Sequence, residues 1–116
     1  MKREEENIIL IKTFEFACDV IDVYSKLTEL KFYRIAGQIC GSGTSIGANV
    51  REAQRAVSNA DFINKMAIAL KEAEETEFWF EVIERKIFKV ESKLKDNLKA
   101  IIRILTTIIN TSRGKR

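Results

Sequence analysis

Ser42, Ser45, Asn49 and Glu52 recur at spacings of three, four and three, so on a helix they share one polar row; Glu72 and Glu75 stand three apart further along the chain. Carboxylates beside hydroxyls and an amide are residue types that general acid–base catalysis uses. The same groups, desolvated between helices, would form a hydrogen-bond network that fixes helix register, because buried polar atoms need partners. Composition favours the network. The chain has no histidine, which removes the commonest general base and the commonest metal ligand. Neither a Ser-His-Asp nor a Cys-His site can be built, nor a usual zinc site. No metal, cofactor, small-molecule substrate or enzymatic activity is expected.

A second motif, Gly41-Ser42-Gly43-Thr44-Ser45, has the look of a phosphate cradle. Such a loop follows a strand, opens a helix and, in its nucleotide form, carries Gly-Lys-Ser/Thr. Here Ile46 follows Ser45 and the flanking residues have helical periodicity, so nucleotide binding is not expected. Four of the five glycines, Gly37, Gly41, Gly43 and Gly47, fall within eleven residues of a chain that has no proline. Each costs about 1 kcal/mol relative to alanine inside a helix. The apolar period runs through them unbroken, which argues for a helix whose bare backbone lets a neighbour approach closely.

A third set is basic. Residues 85–116 hold ten Lys and Arg against two acids, whereas residues 1–84 hold ten against fifteen, and the net charge is +3. Lys95, Lys99 and Arg103 stack at four-residue intervals, flanked by Lys86, Lys89 and Lys93, with Arg51 and Arg55 as a second pair. Such a stripe can track RNA or DNA phosphates, but it has no interleaved aromatic for base stacking, so recognition would be electrostatic. The alternative is a solvated helix face that only confers solubility. Cys18 and Cys40 are expected to be buried, reduced thiols. No apolar run is long enough to span a membrane, and a cytoplasmic chain is expected.

The elements that would position these residues are four amphipathic helices, at about 3–28, 33–57, 59–88 and 92–111, forming a single domain over residues 1–116. In the first, Leu10, Phe14, Ala17, Ile21 and Tyr24 read as the core seam. Ile9, Phe16, Val20, Val23 and Leu27 form a second apolar row, which could serve a very wide core within the subunit but is explained more economically by a subunit interface. Only Lys12, Glu15, Asp19, Asp22 and Lys26 make a polar stripe. The second helix has its seam at Ile39, Gly43, Ile46, Val50, Ala53 and Val57; the third at Phe62, Met66, Ala69, Ala73, Thr76, Phe80, Ile83 and Ile87; the fourth at Leu94, Leu98, Ile101, Leu105 and Ile108. Ser58 and Ser92 read as N-caps, and residues 111–116 as a frayed tail. Long helices with short links predict an all-α, antiparallel up-down four-helix bundle.

Residues 38–54, from Gln38 through Gly41-Ser42-Gly43-Thr44-Ser45 to Gln54, closely resemble the motif of the bacterial four-helix-bundle proteins. These are also called 23S rRNA intervening-sequence proteins, because some are encoded within insertions in that rRNA gene. Ala60-Asp61-Phe62, Lys65-Met66, the run from Ile68 to Thr76 and the aromatic cluster Phe78-Trp79-Phe80 match as well. The resemblance implies an antiparallel bundle assembling as a homopentamer, with no established enzymatic activity. Similar proteins are accessory factors in diversity-generating retroelements, where a basic pentamer binds reverse transcriptase and nucleic acid. The family commonly has arginine immediately before the Ser-Gly-Thr-Ser run, and this chain has Gly41. A nucleic-acid role of that arginine therefore does not transfer. Together these readings predict a homo-oligomeric helical scaffold that contacts RNA or a nucleoprotein partner through basic surface; the alternative is a protein-interaction module without nucleic-acid binding.

Overall fold

The computed structural model describes residues 4–114, with side chains from residue 7 onward, as α1 (Glu4–Glu29), α2 (Tyr33–Ala53), α3 (Asn59–Lys86) and α4 (Ser92–Ser112). Among the described residues there is no strand. The expected helix start at residue 3 and the last two residues of the basic tail lie outside them. Each helix packs on its neighbours in sequence and α4 closes onto α1, so the four surround one core. Phe16 of α1 and Phe80 of α3 meet across that core with ring centroids 6.1 Å apart.

The seams of α3 and α4 are buried where the apolar period puts them, from Met66 to Ile83 and from Leu94 to Ile108. On α1 the two rows exchange roles. Ile9, Phe16, Val20, Val23 and Leu27 enter the core, whereas Phe14, Ile21 and Tyr24 are exposed and Leu10 and Ala17 half-buried. The physical reason lies on α2. A methyl at Gly43 would sit 2.8 Å from both Val20 γ carbons, and one at Gly47 would sit 3.1 Å from the Thr13 carbonyl oxygen. The absent side chains draw α1 in along its Thr13–Val20 face. Thr13 is itself buried, its hydroxyl donating to the Ile9 carbonyl at 2.7 Å.

Close approach is therefore confined to Gly43 and Gly47. Gly37 and Gly41 meet nothing within 4 Å and face outward, so within the subunit they open no groove for a neighbour. The second helix also stops short. It ends at Ala53, and Gln54, Arg55 and Ala56 donate three residues back in a tighter turn. Val57 is thereby left 92% exposed instead of joining the seam.

The caps are local devices. Ser58 Oγ accepts from the Asp61 N–H at 3.0 Å, and Asp61 Oδ2 accepts from the Val57 N–H at 3.2 Å, a reciprocal pair at the start of α3. Ser92, by contrast, is the first residue of α4 and not its cap; Glu91 stands at the N-cap without a side-chain bond. At the end of α1, Lys31 N–H donates to the Thr28 carbonyl and Phe32 N–H to the Leu27 carbonyl, with Lys31 at φ 70°. This is the pair of bonds that usually closes a helix on glycine.

Candidate functional site

Two surfaces bring the chemistry-bearing residues together. The first is the outer groove between α1 and α2. Leu10, Phe14 and Ala17 form one wall and Thr44, Ala48 and Arg51 the other, around a cavity of about 350 Å³. Its apolar wall continues along α1 through Ile11, 59% exposed, and Phe14, 56% exposed, to Ile21 and Tyr24. The Arg51 guanidinium lies 5.7 Å from the Phe14 ring centroid, and Arg55 lines the neighbouring mouth of the groove. Gly37, Gly41, Thr44 and Ala48 recur on α2 at four-three-four spacing, so the α2 flank is nearly free of bulk. An apolar row beside a bare flank, rimmed by arginine, is a shape another helix can enter.

The polar row resolves into separate bonds. Ser45 Oγ donates to the Gly41 carbonyl at 2.7 Å and Asn49 Nδ2 to the Ser45 carbonyl at 2.9 Å, both within α2. Glu52 pairs with Lys65 of α3 at 3.1 Å, in an exposed position. Glu75 accepts from Trp79 Nε1 at 3.4 Å, within α3. Only Ser42 reaches a buried partner on another helix. Its hydroxyl lies 2.9 Å from that of Thr76, which is also 2.8 Å from the Glu72 carbonyl. A hydroxyl carries one proton; both contacts are met when Thr76 donates to the carbonyl and accepts from Ser42. Among the described residues Glu52, Glu72 and Glu75 do not gather into a cluster that could hold a metal ion. Thr76 completes the buried pair but read in sequence only as a seam residue; its spacing from the apolar neighbours carried no sign of a hydroxyl partner.

The second surface is basic and divided. Lys95 Nζ lies 2.9 Å from both oxygens of Glu84, whose Oε1 also accepts from the Val90 N–H at 3.1 Å. The Lys95 ammonium first, and then the Val90 N–H, hold the Glu84 carboxyl below the usual carboxylate range. Lys99 shares with Lys95 a cleft whose far wall is Glu77, Glu81 and Glu84, and Lys93 lies beside Glu15 and Asp19. Lys86, Lys89 and Arg103 are exposed. The stripe is thus interleaved with acids from α3 and α1, which the linear sequence of α4 did not reveal.

Cys18 is exposed and Cys40 half-buried, so neither has the deep burial expected of it; Cys18 lies beside the outward Ala17 on α1. Among the described residues no cluster of three or more His, Cys, Asp or Glu could hold a metal ion. No described helix is long and apolar enough to cross a membrane.

Residues 5–110 match the family described as 23S rRNA-intervening sequence protein. The chain belongs to that family. It is similar to a protein with unknown function from the S23 ribosomal protein family of Bacteroides thetaiotaomicron VPI-5482, known from a crystal structure at 1.70 Å resolution. The two share 42% identity over 91% of this chain and 98% of that one, with a TM-score of 0.86. No curated protein matches. Neither the family description nor that relative indicates an enzymatic activity. Gly41, immediately before the Ser42-Gly43-Thr44-Ser45 run, is exposed and open on the outer flank of α2.

Proposed function

We propose that the chain is a non-enzymatic, cytoplasmic scaffold, an antiparallel up-down bundle that self-associates and contacts RNA or a nucleoprotein partner through basic surface. The observation that carries this reading is the outward apolar row of α1, from Ile11 and Phe14 to Ile21 and Tyr24, lying beside the bare flank of α2. A soluble subunit rarely leaves such a row in water, and a second copy supplies a helix of the right shape. A pentamer is the assembly that the resemblance to the family leads us to propose. Opposed residue pairs support the up-down arrangement: Gly43 with Val20 and Gly47 with Thr13, Ser42 with Thr76 and Glu52 with Lys65, Glu84 with Lys95 and Asn59 with Ser112. In each set one residue number falls as the other rises.

Copies arranged around a symmetry axis multiply a weak basic surface into a multivalent one. Wild-type protein titrated into a labelled RNA at low salt should bind, and affinity should fall steeply as salt rises. Reversing Lys99 and Arg103 to glutamate should weaken it further. The Lys95–Glu84 pair and the acids beside Lys93 and Lys99 favour the second reading, a protein-interaction module in which these cations are already neutralised. No binding at low salt would decide for that module.

A further inference from the structure

Lys26 Nζ of α1 lies 4.3 Å over the ring of Phe88, in the link between α3 and α4. That contact brings the end of α1, its link to α2, and the α3–α4 link to one end of the molecule. The end gathers Lys26, Lys31, Arg34, Arg85, Lys86 and Lys89 against Glu29 and Glu91, Glu84 being engaged by Lys95. None of these six cations is in an ion pair among the described residues. Two aromatic residues stand at the same end, where α2 begins. Tyr33 is 64% exposed and Phe32 is exposed beside it. The sequence kept the aromatics and the C-terminal basic residues apart, since about fifty positions separate Tyr33 from Lys86; the fold joins them.

We propose that this end of the bundle is a binding site for single-stranded nucleic acid, with bases stacking on Tyr33 and Phe32 and phosphates lying on the surrounding cations. The inference rests on the nucleic-acid part of the proposed function and names where and what the protein binds. Exposed aromatic side chains and unpaired cations at one end are the two parts a single-strand site requires. A duplex keeps its base faces covered and could use only the charge. The Lys95–Lys99–Arg103 stripe has no ring on it, and its Lys95 is engaged by Glu84. Lys31 adds to the case. It occupies, at φ 70°, the helix-ending position that glycine favours, and it is exposed next to Phe32 in the chain.

The test is fluorescence anisotropy with a labelled single-stranded RNA and with the same RNA as a duplex, at low and at moderate salt. Wild type should prefer the single strand. Tyr33→Ala should weaken single-strand binding by roughly five- to a hundredfold, with little change for the duplex. Lys86→Glu with Lys89→Glu should weaken both and flatten the salt dependence. Lys31→Gly is the variant that separates binding from folding: it should bind several-fold more weakly while unfolding at higher urea. Sensitivity confined to Lys99→Glu with Arg103→Glu would overturn this site and leave RNA binding standing. Equal affinity for strand and duplex, unaffected by Tyr33→Ala, would overturn the stacking claim. Failure of wild type to bind either RNA would overturn both readings and give this end to a protein partner.

Discussion

Replacing Gly43 with alanine puts one methyl where α1 and α2 are closest. The added carbon would lie 2.8 Å from both Val20 γ carbons and 3.2 Å from the Cβ, against an ordinary contact of 3.4–4 Å. Valine in a helix has essentially one χ1 rotamer, so Val20 cannot swing aside and the two helices must part locally. Forcing one methyl into a packed core costs about 1–3 kcal/mol. Alanine returns about 1 kcal/mol of helix propensity, which makes the net loss about 0–2 kcal/mol. Gly37→Ala supplies the reference within the subunit, because a methyl there meets no atom of the same chain within 4 Å. Both variants are compared in the Phe14→Glu, Ile21→Glu background, where the outer flank of α2 is left uncovered. The difference between the two variants should therefore be about 1–3 kcal/mol. Urea unfolding followed by circular dichroism measures it, at one protein concentration because assembly shifts apparent stability. Equal stabilisation by both substitutions would refute the close-approach argument.

The buried Ser42–Thr76 pair and the Glu84–Lys95 clasp give two further tests. Thr76→Val should cost about 1–3 kcal/mol by leaving a buried Ser42 hydroxyl without its partner on α3, and adding Ser42→Ala should recover most of that loss in the same urea assay. A double variant no better than Thr76→Val would mean the hydroxyl contact is energetically idle. Glu84 has its folded-state carboxyl held below the ordinary value of 4.5, so its stabilising effect is present above the unfolded value and lost as pH falls through the folded one. Glu84→Gln should accordingly lower Tm at pH 7, and the gap to wild type should close in acid below 4.5. A gap that does not narrow as the pH falls below 4.5 in thermal melts would count against the Lys95 clasp as its source.

Sequence periodicity was most informative where a helix has one apolar face. Met66 through Ile83 on α3 and Leu94 through Ile108 on α4 formed the longest continuous seam of their helices, and the structure buries it, with off-seam residues such as Trp79 and Ile102 half-buried beside it. On α1 two rows competed, and spacing is silent about which faces inward. The choice depends on Val20 finding Gly43, a pairing between helices that no single-helix pattern contains. Ser58 was legible because its partner, Asp61, lies three residues away. Val57 misled because it continues the apolar period past the point where the backbone tightens into a turn. The polar row was legible as a row but not as bonds. Ser45 and Asn49 satisfy themselves on α2 carbonyls, the usual recourse of short polar side chains inside helices. The basic stripe looked continuous because its neutralising acids belong to other helices.

Self-association through the outer row of α1 is the claim on which the functional reading stands, and solution molar mass tests it most directly. Light scattering on wild type should return a multiple of the 13.3 kDa chain, fivefold for the pentamer. Phe14→Glu combined with Ile21→Glu, both at exposed positions, should bring the mass down to one chain while the helical circular dichroism is kept. A wild-type protein that runs at 13.3 kDa across the accessible concentration range would contradict the account.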